Sequence, residues 1–458
     1  MIKGDIQMNI VIVGAGKVGY ALAKYLSIEG DNVTIIDNNI AALERINNSL
    51  DVMCVKGNCT SLKVLNEAGV KDADLLISVT NSDELNMLCS LAAKKLGTKY
   101  TISRVRNPEY DEDITLLSDA VGIDLVINPE KAAANEIAKL IKFPSVCSID
   151  DFSEGKVNLI GFKITPNTDL VGKRISELGS IRGNILFCGV ERNDAVIIPK
   201  GDYVFQVDDR IYVIGEHKEI QDFFKRLGKY EKRVKNSMII GGGKISYYLA
   251  KKINDVGVSC KIIEKNIKKC EELTELLPDS IIINGDGMDQ QLLMSENLGE
   301  VNNFIALTDR DEDNIVAALF AANKSVNNII TKVTRENHIT IAESVGINSI
   351  VSPKLATANK IIKYVRSLKG QRKYLIENMY MICNEKVEAI EFIVDENTKN
   401  LNKKFKDITI SDDIIYATIV RDDKIIIPTG DDCLKINDKV IVVSQNKKFE
   451  EIIFGGDK

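Results

Sequence analysis

The chain has 458 residues, too many for one hydrophobic core, because single cores stop growing at roughly 250–300 residues. It is 45% hydrophobic and 28% charged, which argues for a folded chain, and its formal net charge of −6 does not favour a nucleic-acid-binding surface. Its apolar runs are strand-sized, far below the ~20 residues that span a bilayer, so no direct membrane insertion is expected and any membrane role must come through a partner.

Met1–Gln7 read as an untidy leader, with Met8 an alternative start, and no signal peptide is expected because the apolar run after Asn9 breaks at Gly14. Six short, β-branched, apolar runs follow: Ile10–Val13, Val33–Ile36, Asp51–Val55, Leu75–Val79, Tyr100–Arg104 and Leu125–Ile127. Helical segments separate them, and this alternation predicts a doubly wound parallel sheet covered on both faces, a Rossmann-like α/β domain. Asn128 and Pro129 then open an amphipathic helix, with Pro144 beyond its end. The next stretch changes character. "VNLIGFKI", "NILFCGVER", "DAVIIP" and "DRIYVIG" read as strands with a hairpin turn at Asn193–Asp194, while "LVGKRISEL" and "EIQDFFKRLG" read as short helices. This is a small α+β domain.

The pattern then starts again. Gly14 and Gly241 are 227 apart (241 − 14), and "VTNSDELN" matches "LTDRDEDN" at 228 (307 − 79). "NPEKAAANEI" matches "SPKLATANKI", and "RNDAVIIPKGD" matches "RDDKIIIPTGD", in the same order. The protein is one module written twice. The expected divisions are 8–143 and 235–367 for the nucleotide-type domains and 144–230 and 368–455 for the small ones.

"GAGKVG" (Gly14, Ala15, Gly16, Lys17, Val18, Gly19) fits G-x-G-x-x-G between an apolar strand and a helical run. Gly14 permits a tight turn, Gly16 lets a pyrophosphate approach the backbone, and Gly19 lets the helix pack on the strand. Asp37, at the end of the second strand, is placed to accept hydrogen bonds from an adenine ribose and would repel a 2′-phosphate, which favours NAD(H) over NADP(H). Further candidates stand at strand ends: Lys56–Asn58, Thr80 and Asn81, and Arg104, whose cation would reach phosphate oxygens. The second copy offers Gly241, Gly242, Gly243, Lys244 and Ile245, then Glu264, Asn284–Gly287, Thr308, Asp309 and Lys332. There Ser246 replaces the packing glycine, which should loosen or shift the helix, and Glu264 adds a methylene that changes the ribose geometry. Asp83 with Glu84, and Asp311 with Glu312, resemble acid/base pairs but read better as acids opening helices.

Nine scattered cysteines without CxxC spacing read as reduced, buried thiols, structural rather than redox-sensing, and with only His217 and His338 no metal site is expected.

The order of nucleotide domain, helix and small β-rich domain, given twice, resembles the RCK family, regulators of potassium conductance. More narrowly it resembles the tandem TrkA-type subunits of Trk potassium uptake systems. "IVIVGAGKVG", "TIID", "SVTNSDELN", "VINPEKAAANEIAKLI", "LVGKRISELG" and "IIPKGD", with their second-copy counterparts, carry the resemblance over essentially the whole chain. It implies a non-enzymatic subunit that binds NAD(H), or ATP and ADP, at the residues named above. It also implies a homo-oligomer, a ring of four chains, acting from the cytoplasmic face of the membrane on a Trk-type potassium channel subunit. Two other readings stand beside it. A nicotinamide-dependent dehydrogenase needs a proton donor near the cofactor, and neither His217 nor His338 lies in the cradle. A redox-sensing transcription factor needs a helix-turn-helix and a basic face, and neither is found.

Overall fold

The computed structural model describes residues 7–110, 114–141, 143, 146–193, 195–228, 234–373, 376–383 and 386–445. The leader up to residue 6, Pro144, the turn residue Asp194 and the divisions expected at 144, 230 and 455 lie outside these residues.

The first sheet contains β1 (Asn9–Val13), β2 (Asn32–Asp37), β3 (Met53–Lys56), β4 (Leu75–Ser78), β5 (Tyr100–Arg104) and β6 (Leu125–Ile127). They lie in the order β3-β2-β1-β4-β5-β6, and every neighbouring pair is parallel. Parallel neighbours need crossover connections, and the amphipathic helices supply them. Their apolar stripes cover the sheet, as when Leu65, Cys89 and Ala93 pack on Val11, Val13 and Leu76. This is the doubly wound order, with its switch point between β1 and β4.

A second sheet follows: β7 (Val146–Phe152), β8 (Val157–Lys163), β9 (Ile185–Arg192), β10 (Ala195–Ile197) and β11 (Arg210–Glu216), in the order β10-β9-β11-β8-β7 with all pairs antiparallel. A helix, His217–Arg226, buries Ile220, Phe223 and Phe224. Two features differ from the sequence reading. The strand β7 was not expected, because "VCSIDDF" buries only its two ends and lacks a clear apolar alternation. The helix expected over "LVGKRISEL" shrinks to a single turn, Ile175–Glu177, because Gly172 takes a left-handed conformation (φ +78°) that stops a helix.

The second copy repeats both sheets. β12 (Asn236–Ile240), β13 (Ser259–Glu264), β14 (Ser280–Asn284), β15 (Asn303–Ala306), β16 (Asn328–Lys332) and β17 (Ser349–Val351) form a six-stranded parallel sheet in the order β14-β13-β12-β15-β16-β17. β18 (Ile376–Ile382), β19 (Val387–Ile393), β20 (Ile414–Arg421), β21 (Lys424–Ile426) and β22 (Lys439–Ser444) form the antiparallel sheet β18-β19-β22-β20-β21, the topology of the first small sheet.

The chain divides into two compact units. One holds the first parallel sheet, up to Asn135, with Ser352–Val365, which includes the first part of the helix Pro353–Lys373; the other holds Glu136–Val351 and the chain from Arg366 onward. Within the second unit the two small sheets share one core. Phe152, Leu159, Cys188 and Ile214 of one pack with Ile382, Ala389, Ala417 and Val443 of the other. Phe152 meets Tyr380 edge-on at 4.9 Å, and the Tyr380 hydroxyl donates to the Asp151 carbonyl at 2.8 Å. The carboxylate of Glu391, fully buried, accepts from the backbone N–H and hydroxyl of Ser153 and from Asn378, so its burial is satisfied by donors. Among the described residues no helix is long and apolar enough to cross a membrane.

Candidate functional site

At the switch point the crossovers leaving β1 and β4 run to opposite faces, and the carboxyl ends of the strands open into a cleft. Its volume is about 480 Å³, and Gly14, Ala15, Gly16, Asp37, Thr80 and Asn81 all line it. The sequence-predicted residues therefore meet from three strand ends. Lys17, Val18 and Gly19 form the first helical turn beside the cleft without lining it, and Arg104 stands behind Asn81. Arg45, Asn58 and Cys59 line the cleft as well. Of these only Asn58 was a candidate; Arg45 and Cys59 carried no motif that could have marked them.

The glycines have separate tasks. Gly14 has φ +111°, and a Cβ on it would stand 3.1 Å from the backbone of Val79. Gly19 is stricter: a Cβ would stand 1.9 Å from the Gly14 carbonyl oxygen. Gly16 faces open space, with nothing within 4 Å of an added Cβ, and it caps the helix Lys17–Ile28 without any side-chain hydrogen bond to the first turn. The amides of that turn keep their donor capacity and the positive end of the helix dipole, a setting that suits a phosphate. The Asp37 carboxylate accepts from Ala15 N–H at 2.6 Å and from Asn39 N–H at 2.8 Å, one bond per oxygen. Each oxygen keeps a further lone pair for a ribose hydroxyl.

A buried asparagine sets the far wall. Asn86 Oδ1 accepts from the N–H (2.8 Å) and hydroxyl (2.7 Å) of Thr80, and its Nδ2 donates to the carbonyls of Thr80 (3.3 Å) and Arg104 (2.9 Å). One side chain thus ties the end of β4 to the end of β5. Arg104 is buried and donates to the Thr80 carbonyl and, at 3.3 Å, to Asn81 Oδ1, while its Nε has no hydrogen-bond partner. Burial, with Arg106 nearby, lowers the pKa of Arg104, a desolvated cation that an incoming anion would relieve.

The second mouth repeats this frame with different chemistry. Gly241 has φ +93°, and Gly243 faces open space. Lys244 is exposed and Ile245 buried, in the first turn of the helix Lys244–Asn254. Ser246, in the place of Gly19, is fully buried, and its hydroxyl donates to the Gly241 carbonyl; a hydrogen bond ties helix to loop where the first copy has bare contact. Glu264 makes the same pair of bonds as Asp37, accepting from Gly242 N–H (2.6 Å) and Asn266 N–H (2.7 Å). Asn314 reproduces the four bonds of Asn86, to Thr308 and Lys332. The charges differ. Asp309 stands where Asn81 stands and lies 3.8 Å from the Lys332 amine, and Lys265 pairs with Asp286 at 2.9 Å across the ends of β13 and β14.

The adjacent acids act as helix-opening residues. Asp83 accepts from the N–H groups of Arg106 and Asn107, and Asp311 from those of Thr334 and Arg335, which pins the loops after β5 and β16. Burial opposes ionisation of Asp311, but the Thr334 hydroxyl and these amides outweigh it and hold its carboxyl below the ordinary range. Of the two histidines, His338 lies beside Asp311, and His217 hydrogen-bonds Asn158 at 2.7 Å in the first small domain. Among the described residues no group of His, Cys, Asp and Glu side chains could hold a metal ion, and all nine cysteines are free thiols.

Two doubly wound domains, each followed by a small antiparallel domain, define a tandem α/β architecture with a glycine loop at the first strand's end in each copy. The TrkA-N domain model matches residues 10–129 and again 237–353, and the TrkA-C domain model matches 159–228. The chain is 35% identical over 447 residues to Trk system potassium uptake protein TrkA homolog 2 of Methanosarcina mazei, covering 95% of this chain and 97% of that one. It is 32% identical to Trk system potassium uptake protein TrkA of Vibrio alginolyticus, covering 96% and 97%. It belongs to the TrkA family. Its relatives are named for potassium uptake and not for a catalysed reaction. In fold it is similar to the GsuK channel bound to NAD (TM-score 0.62, 17% identity, 98% of this chain and 78% of that one). It is also similar to GsuK bound to ADP (TM-score 0.51, 16% identity, 81% and 70%).

Proposed function

We propose that this chain is a nucleotide-sensing subunit that binds NAD(H), or ATP and ADP, in its two glycine cradles and gates a Trk-type membrane potassium channel subunit from the cytoplasmic face. The observation that carries this reading is the first cleft. An uncapped helix N-terminus, an open Gly16 and the Asp37 carboxylate stand on one side of a cavity of about 480 Å³. Diphosphate and ribose have complementary partners there. The potassium-uptake names of the relatives supply the membrane partner, and the NAD- and ADP-bound GsuK structures support both nucleotide classes.

In this reading the chain forms a homo-oligomer, a ring of four. A nucleotide acts only through its different affinities for two ring shapes. Coupling of ~1–3 kcal/mol per site, summed over several sites, reaches the ~5.5 kcal/mol that moves a gate from 1:99 to 99:1. The site set is the one named from sequence: Gly14 to Gly19, Asp37, Thr80, Asn81 and Arg104, then Gly241 to Ile245, Glu264, Thr308, Asp309 and Lys332.

Calorimetric titration with NADH, NAD, ATP and ADP tests the binding. At least one nucleotide should give a saturable heat, and Asp37→Ala should weaken it by about tenfold or more, the loss of a charge-assisted bond. Unchanged affinity in Asp37→Ala would remove the ribose assignment. Potassium flux through a co-purified membrane subunit, with and without nucleotide, tests the gating.

A further inference from the structure

We infer that Cys59 and Cys89 form an oxidisable dithiol in the wall of the first cradle, closed to a disulfide by a small hydroperoxide that enters through the cleft. Cys59 lines the cleft directly after Gly57 and Asn58. Cys89 lies behind it, fully buried on the helix Asp83–Leu96, and its thiol donates to the Cys59 carbonyl at 3.4 Å. Both cysteines belong to one buried cluster with Val13, Leu65 and Leu76. Cys59 therefore stands on the cleft side and Cys89 behind it, the arrangement of an attacking and a resolving cysteine.

The second copy shows that packing does not demand this pair. Gly287 and Ala317 occupy the corresponding places, at the repeat's 228-residue offset (287 − 59; 317 − 89). The same fold closes there without sulfur, so two cysteines packed together beside one cradle only are a feature of that cradle. The neighbouring Cys89 lowers the pKa of Cys59, and Cys59 together with burial raises that of Cys89, which keeps the nucleophile on the cleft side.

The chemistry balances in two steps. The Cys59 thiolate attacks the distal oxygen of the hydroperoxide, the O–O bond breaks, the sulfur is oxidised to a sulfenic acid, and the leaving alkoxide or hydroxide takes up the proton released by the Cys59 thiol to become alcohol or water. The Cys89 sulfur then attacks the sulfenic sulfur, the S–O bond breaks, the thiol proton joins the departing oxygen, and water leaves. The disulfide draws the Lys56–Cys59 wall toward the helix behind it and alters the cleft. That last consequence rests on the nucleotide reading of the cleft; the oxidation itself does not.

The test uses the whole chain and hydrogen peroxide, followed by blocking of free thiols, digestion and mass spectrometry. The expected product is a Cys59–Cys89 peptide pair lighter by two hydrogens than its parts. Cys89→Ala, which copies Ala317, should lose the cross-link and accumulate a sulfenic acid at Cys59 that dimedone traps. If Cys59 and Cys89 both remain alkylatable when the half-buried Cys54 and Cys433 are already oxidised, the dithiol does not exist. Persistence of the same cross-linked mass in Cys89→Ala would likewise overturn the pairing. Titrating the reduced and oxidised chains with NADH separates the two ideas. A cross-link without any nucleotide binding removes the cleft's nucleotide function and leaves the dithiol standing, whereas binding without a cross-link does the reverse.

Discussion

The two cradles of this chain share a backbone and differ in what stands on it. Both have a left-handed glycine after the first strand, an acid clasped by two loop amides, and a buried asparagine joining the fourth strand to the fifth. The first places Asn81 beside Arg104, while the second places Asp309 beside Lys332. A neutral amide leaves the first cation's charge for a phosphate. A carboxylate in the second neutralises part of that charge and adds one that would repel an anion. The two copies share the parts that shape the chain and differ in the charges at the strand ends. The second cradle is thus expected to bind more weakly or to take a different nucleotide.

The packing position is the place to break this comparison most severely. Gly19→Ser should not reproduce the second cradle, because its Cβ would stand 1.9 Å from the Gly14 carbonyl. A cost upward of about 3 kcal/mol and loss of binding at the first cleft are expected, read by thermal unfolding and calorimetry. The reverse change, Ser246→Gly, loses one hydrogen bond and adds helix flexibility, and should cost only about 1–2 kcal/mol. Equal costs for the two would show that the loops are not differently packed.

The asparagines sharpen the shared half. Asn86→Ala and Asn314→Ala each remove four hydrogen bonds and leave the threonine N–H buried without its acceptor. Each should cost about 2–4 kcal/mol in chemical unfolding, and by similar amounts. A large effect in one copy alone would mean that the frame is not common to both.

The smallest effect concerns charge. Asp309→Asn combined with Lys332→Arg gives the second mouth the first mouth's pair, and should tighten anionic nucleotides there by up to about fivefold, less at high salt. No change, or weaker binding, would place the difference between the cradles elsewhere, with Glu264 the next position to vary.

Much of this was legible before any fold was seen. Period, β-branching and glycine spacing are local properties, so the six strands of the first sheet and the glycine turn emerged from residues near in sequence. Asp37 was legible because its distance from the glycines follows from one strand–helix–strand unit. The strands Val146–Phe152 and Ile376–Ile382 were not, since their side chains are sorted by the neighbouring small sheet and not by an alternation of their own. Asn86 was visible as part of a repeated motif, but its role was not. Nothing local says that its amide reaches a carbonyl eighteen residues away (104 − 86) on the next strand.

By itself the sequence determined a duplicated module, a parallel sheet in each copy and a glycine loop able to receive a phosphate, because steric freedom and side-chain periodicity act over a few residues. Only the tertiary structure decided that Ser246, expected to loosen or shift its helix, bonds that helix to the loop, that two small sheets close over one core, that part of the helix Pro353–Lys373 belongs with the first unit, and that Cys59 meets Cys89. Those outcomes depend on which distant residues share a neighbourhood, and packing sets that through the whole chain at once.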